Sequence, residues 1–147
     1  MESRNHTRQY LVGYLYLAAM AHLLAGLALP WIADAALFDG YHRSIEQQFW
    51  SGSAPPPARP QQLWWIALFG ATVQNLAVWM LALVHLGHRH RLRAAWGWLI
   101  AGLLLWAPQD MLISLQAKAW PHLWLDGAVL LALLPPLLWL WNKDRPS

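Results

Sequence analysis

Six polar side chains lie within long apolar stretches of this chain, where each one needs a partner or a ligand. They are His22, Gln74, Asn75, Gln109, Asp110 and Asp126. A carboxylate inside a bilayer costs roughly 3 kcal/mol on insertion scales, so such a group normally faces a wet cavity or the interior of a helix bundle. An ionised Asp there could bind an amine or a hydroxyl group, and His22 paired with Asp110 could exchange a proton near neutral pH. We therefore predict that the six side chains line a ligand site.

The same side chains also suit a structural role, in which they form hydrogen bonds between helices. Such a bond contributes about 0.6 kcal/mol in membrane proteins. Gln74 and Asn75 fit this role well because an amide needs no charged partner, whereas His22, Asp110 and Asp126 fit a ligand site better. The residues leave both roles open.

Catalytic and metal-binding patterns are weak in this sequence. Ser114 is the only serine in an apolar stretch, and no nucleophile motif surrounds it, which argues against hydrolysis. His85, His88 and His90 have the side chains that zinc or copper prefers, but the interleaved arginines favour contact with anionic lipid headgroups. Haem ligation by His22 and His85 is disfavoured further, because the two residues lie at different depths. We expect neither a metal nor another cofactor, and whether the chain modifies its ligand stays open.

The elements that position these side chains are four apolar stretches, each with the roughly twenty residues that a helix needs to cross a bilayer. They cover residues 10–31, 63–86, 94–116 and 123–141. The composition agrees, because 58% of the residues are hydrophobic and 12% are charged, against about one quarter charged in soluble domains. The sequence predicts an all-α, polytopic membrane protein whose four transmembrane helices form one antiparallel bundle over residues 1–147.

The first connection, residues 32–62, is the only long one. Tyr41, Ile45 and Phe49 recur at helical spacing between polar residues, which predicts a short amphipathic helix on the outer membrane interface. Pro55-Pro56-Pro57 and Pro60 then predict a stiff, extended return to the second span. This outer loop could cover a pocket, or it could be a connector that rests on lipid.

Prolines could open space between the helices. Pro108 interrupts the third stretch and Pro135-Pro136 the fourth, and each removes a helical hydrogen bond. Trp79 and Trp106 lie well inside the stretches and could form the walls of a pocket for a flat lipophilic molecule. Membrane helices also tolerate proline without any ligand, so a simple bend is the alternative.

The basic residues predict the orientation in the membrane. Seven Lys and Arg flank the helices on the side of the two termini, against three on the other side. Both termini are therefore predicted to be cytoplasmic, in a multi-pass protein of the cell (inner) membrane. A signal peptide cleaved near Ala33-Asp34-Ala35 is the alternative for the first stretch, which is longer than the usual ~7–15 apolar residues. The seven are Arg4, Arg8, Arg89, Arg91, Arg93, Lys143 and Arg145.

Several parts follow one another in a recognisable order. They are His22, Leu63-Trp64-Trp65, Gln74, Pro108 and Pro135-Pro136. This order resembles the EXPERA-type membrane proteins, the class of the emopamil-binding sterol isomerase and the sigma-two receptor. In that class an intramembrane pocket binds sterols or cationic amphiphiles, with acidic residues on the first two helices. Here those helices offer His22, Gln74 and Asn75 instead, so the resemblance implies a pocket for a lipophilic ligand rather than sterol isomerisation.

Two functions follow as expectations. The first is binding of a lipid or another lipophilic small molecule in a polar-lined intramembrane pocket, with possible chemistry on it. The second is an accessory or scaffold subunit, in which the membrane helices pack against a partner protein or a second copy of the chain. Membrane lipids are partners in either case. Nucleic acid is not expected, because the basic residues sit at helix ends instead of forming one continuous face.

Overall fold

The computed structural model describes residues 2–50 and 53–144, with side chains from residue 5 onward in the first helix. It is 89% helical, and the described part contains no strand. A short 3₁₀ turn, Ala36–Phe38, lies between the first two α-helices. The α-helices are α1 (Glu2–Ile32), α2 (Asp39–Phe49), α3 (Ala58–His90), α4 (Arg93–Gln116) and α5 (Trp120–Lys143).

Four of these helices, α1, α3, α4 and α5, are long and apolar enough to cross a membrane. This confirms the prediction of an all-helical chain with four apolar spans. At most 28% of the most apolar window of each helix is buried inside the chain, so most of its surface faces outward, as lipid-facing helices do.

The helices extend beyond the apolar stretches. α1 begins at Glu2 and α3 at Ala58, because the helical backbone continues through the polar residues that flank each stretch. Pro60 lies in the first turn of α3, not in the extended segment that we predicted for it. A first-turn proline is tolerated because its missing N–H has no intrahelical acceptor there.

The long helices pack mainly in two pairs, α1 with α3 and α4 with α5. In the first pair the two backbones touch at Gly26 and Gly70. A Cβ atom on Gly26 would lie 2.7 Å from the backbone N of Gln74 and 2.8 Å from the Gly70 carbonyl oxygen. The Gln74 side chain uses this approach and donates to the Gly26 carbonyl at 2.9 Å. The close crossing of α1 and α3 therefore requires glycine at both positions, because glycine has no Cβ atom.

The buried core lies toward one end of the structure, which we call the terminal end. It holds the start of α1, the end of α3, the start of α4 and the end of α5. Trp96 is fully buried there, and a Cβ atom on Gly87 would lie 2.6 Å from its ring. The core residues are Val12, Leu15, Val84, Trp96, Leu103, Leu133, Leu137 and Leu140.

The opposite end, which holds α2 and the start of α5, is the loop end. His42 of α2 is fully buried and joins the Ala33 carbonyl, at 2.8 Å, to the Gln62 side chain, at 3.0 Å. Arg59 of α3 donates to Glu46 of α2 at 2.8 Å. The hydrogen bond and charge of Arg59 hold the pKa of Glu46 below its usual value. These contacts fasten α2 to the start of α3.

Candidate functional site

The most unusual polar group at the loop end is the carboxyl group of Asp126 on α5. Asp126 is 3% exposed, and its buried Oδ2 atom has no hydrogen-bond partner among the residues that the structure describes. Asp110 on α4 and His122, one turn earlier on α5, both act on it electrostatically. A buried carboxyl oxygen that the chain leaves unpaired is costly, which makes it a candidate for binding a ligand.

A hydrogen bond connects α2 to the turn of α5 that precedes Asp126. The Tyr41 hydroxyl and His122 Nε2 lie 2.6 Å apart, and the two rings pack edge to face with centroids 5.5 Å apart. Burial raises the pKa of Tyr41, so its hydroxyl keeps its proton at neutral pH. This contact joins α2 to the start of α5, at His122, which lies one helical turn before Asp126.

Tyr41 also lines a cavity of about 530 Å³ between α2 and the start of α3. This volume lies within the usual range of small-molecule sites. The walls are mainly aromatic and aliphatic, with two side-chain amides among them. The lining residues are Tyr41, Ile45, Phe49, Trp50, Ala58, Gln61, Gln62, Trp65 and Ile66. Asp126 is not among these residues; Tyr41 lines the cavity and also contacts His122, which lies one helical turn before Asp126.

The six predicted site residues fall into separate places. Asp110 and Asp126 lie near each other on the α4–α5 pair. His22 and Gln74 lie on the α1–α3 pair, where the His22 ring bonds the Ala18 carbonyl of its own helix at 2.7 Å.

Asn75 and Gln109 are exposed on the surface of the chain. Within residues 5–50 and 53–144, no hydrogen bond joins any two of the six predicted residues. Gln74 forms a hydrogen bond between helices, as expected for a structural role. Asp126 has an unpaired carboxyl oxygen among the described residues, as expected for a residue that binds a ligand.

The two tryptophans predicted as pocket walls lie elsewhere. Trp79 is 62% exposed and Trp106 is 40% exposed, and neither lines the cavity described above. Trp50 and Trp65 occupy that position instead. The sequence predicts a pocket between the spans with the outer loop as its possible cover, whereas this cavity lies between that loop's helix α2 and the start of α3.

Sequence reasoning also missed His122 and its contact with Tyr41. The local signal was present, since His122 and Asp126 are four residues apart and so share one face of α5. Nothing in the sequence indicated that Tyr41, 81 residues earlier, would reach His122.

A second polar cluster ties the helices together at the terminal end. Arg8 of α1 donates to Asp144, which follows α5, at 2.8 and 3.1 Å, with side-chain exposures of 4% and 1%. Trp96 of α4 donates to the same carboxylate at 3.0 Å, and Arg8 also reaches the Gly87 carbonyl of α3 at 3.3 Å. Burial alone would raise the pKa of Asp144, but the hydrogen bonds from Arg8 and Trp96 and the nearby arginine charges lower it.

The sequence marks Arg8 only as a basic residue that indicates orientation, and it does not predict this cluster. Of the other residues in that signal, Arg145 and the side chain of Arg4 lie outside the described residues. The cluster leaves no polar group of Asp144 free, since Arg91 also approaches it at 3.5 Å. Its role is structural.

Comparison of the chain with protein-family models, curated proteins and solved structures found no match. Within residues 2–50 and 53–144, no group of three or more His, Cys, Asp or Glu is arranged to hold a metal ion. The resemblance to EXPERA-type proteins stays a prediction, and the function has to be argued from the geometry.

Proposed function

We propose that this protein is an integral membrane protein that binds an amphiphilic, lipid-like molecule at the loop end. The polar group of the ligand contacts Asp126, and its apolar part occupies the cavity between α2 and α3. One observation carries the proposal: Asp126 is buried, and its Oδ2 atom has no hydrogen-bond partner within residues 5–50 and 53–144.

The chemistry of the carboxyl pair narrows the polar group of the ligand. Asp126 offers acceptor oxygens, and Asp110 adds a second carboxyl group close by. Two carboxyl groups repel phosphate or carboxylate, whereas they accept hydrogen bonds from a hydroxyl group or a protonated amine. The ligand is therefore a neutral or cationic amphiphile.

The cavity suits the apolar part of such a molecule. Ile45, Phe49 and Trp65 supply apolar walls, and Gln61 and Gln62 supply amides that can bond a second polar group. Helix α2 forms one wall of the cavity and is joined to α5 by the hydrogen bond between Tyr41 and His122. Movement of α2 would therefore open the cavity.

The proposal includes an arrangement in the membrane. The four long helices form one antiparallel bundle, with α2 as an amphipathic helix on the outer interface and both termini in the cytoplasm of the cell membrane. The support is the excess of basic residues at the terminal end, where Arg89, Arg91, Arg93 and Lys143 lie. The loop end then faces outward, and ligand enters from the outer leaflet.

Native mass spectrometry of the protein released from its own membrane tests the proposal. We expect a discrete lipophilic mass on the wild type that is lost in Asp126→Leu and reduced in Asp126→Asn. The matched control is Asp34→Asn, which changes an exposed carboxylate in the connection before α2. This variant should keep the bound mass.

Two outcomes would contradict the proposal. Retention of the mass in Asp126→Leu would show that the carboxyl group does not hold the ligand. A stoichiometric protein partner without any bound small molecule would instead favour the accessory-subunit function.

A further inference from the structure

The terminal end carries far more positive than negative charge. Five cationic side chains lie there among the described residues, and Asp144 is the single carboxylate in contact with them. Arg8 occupies that carboxylate with two hydrogen bonds. The remaining positive charge is therefore not neutralised by the described chain. The five are Arg8, Arg89, Arg91, Arg93 and Lys143.

Arg91 and Arg93 stand out because neither has a carboxylate to itself in the described chain. Arg91 ends α3 in a left-handed conformation, with φ of 52°, and its side chain is 57% exposed. It approaches Asp144 only at 3.5 Å, at the oxygen that Arg8 already uses. Its guanidinium group can therefore take a second anion.

Arg93 lies with its guanidinium group 3.8 Å from the ring centroid of Trp141. Its Nε atom is buried without a hydrogen-bond partner, and no carboxylate pairs with it in the described chain. Arg93 also begins α4, where neither an acidic residue nor a side-chain cap is present in the first turn. A cation at this helix end is unfavourable by itself and becomes favourable when an anion lies beside it.

The surroundings indicate that this anion belongs to a lipid. Leu92, between the two arginines, is 44% exposed, and further along α4 Trp98 is 70% and Leu105 75% exposed. Tryptophan is typical of the headgroup layer, and the apolar surface that follows can lie along acyl chains. Inorganic phosphate has no apolar part that could contact this surface.

We propose that Arg91 and Arg93 bind the phosphate group of an anionic phospholipid at the terminal end. This site is independent of the ligand site at Asp126, which lies at the opposite end of α5 and repels phosphate. Charge complementarity carries the proposal: Arg91 only shares Asp144 with Arg8, Arg93 has no carboxylate in the described chain, and apolar surface with the exposed Leu92 and Trp98 lies beside them.

The test is native mass spectrometry of the full chain in a mild non-ionic detergent. Equal amounts of phosphatidylglycerol and phosphatidylcholine with identical acyl chains are added, and the ratio of the two bound species is measured. The wild type should bind phosphatidylglycerol preferentially. Arg91→Gln and Arg93→Gln should each lower the ratio about fivefold, and Arg93→Lys should retain most of it because the charge remains.

Matched controls remove the same charge at the loop end, in Arg43→Gln and Lys118→Gln, and should leave the ratio unchanged. The proposal is overturned if the controls lower the ratio as much as Arg93→Gln does, since the effect would then be overall charge. Displacement of the lipid by millimolar inorganic phosphate would also overturn it. Circular dichroism and melting temperature identify any variant that fails to fold. If Arg93→Gln fails, Arg91→Gln, whose side chain is 57% exposed, is compared with the two controls instead.

Discussion

Breaking the buried ion pair between Arg8 and Asp144 should destabilise the protein more than any other single charge removal. The two side chains are 4% and 1% exposed and share two hydrogen bonds. Loss of one partner of such a pair leaves an uncompensated buried charge, which costs about 3–5 kcal/mol. We expect about 3 kcal/mol for Asp144→Leu, because Arg91 and the membrane surface supply some polar surroundings.

The assay is thermal unfolding in mild detergent, followed by tryptophan fluorescence. A loss of about 3 kcal/mol corresponds to about 6–12 °C for a chain of this length. The double variant Arg8→Met with Asp144→Leu should be much closer to the wild type than the sum of the single variants, since neither charge is then left alone.

The control is Asp39→Asn, which removes a half-exposed partner of Arg59 at 3.3 Å. Exposed ion pairs contribute about 0–1 kcal/mol, so the melting temperature should change by no more than a few degrees. The reasoning is refuted if Asp144→Leu costs no more than this control, or if the effects of the two single variants simply add.

Three further predictions use the same melting assay. Gly26→Ala should lower the free energy of unfolding by about 1–3 kcal/mol, because its Cβ atom would meet the α3 backbone at 2.7–2.8 Å. Gly102→Ala, whose Cβ atom would have no described atom within 4 Å, should be neutral or stabilising. Equal effects of the two substitutions would contradict the close crossing of α1 and α3. Asp126→Asn should stabilise the ligand-free protein by about 1 kcal/mol and so raise its melting temperature, because it removes the buried negative charge that Asp126 can carry beside Asp110. A lower melting temperature would contradict this reasoning. Since the folded state lowers the pKa of Asp144 from 3.8, its stabilisation is complete above that pH and is lost as the pH falls through the lowered pKa. Asp144→Asn should flatten this acid-induced loss.

The candidate site was predicted from the sequence only in part. Asp110 and Asp126 were recognisable because carboxylates within apolar spans are rare, and α4 and α5 bring them near each other. Gln109 and Asn75 carried the same signal but are exposed, because adjacent residues on a helix point in different directions. The polarity of a residue shows that it needs a partner, and the rotation of the helix decides where that partner can lie.

By itself, the sequence determined the four apolar helices of this protein, because helix length and hydrophobicity are local properties of consecutive residues. It also determined the excess of basic residues that collects at the terminal end. Only the tertiary structure decided that Arg8 meets Asp144, 136 residues away, and that Tyr41 meets His122. Contacts between distant residues depend on the register and rotation of packed helices, which are set by small close-packed residues such as Gly26 and Gly70 and leave no periodic pattern in the chain.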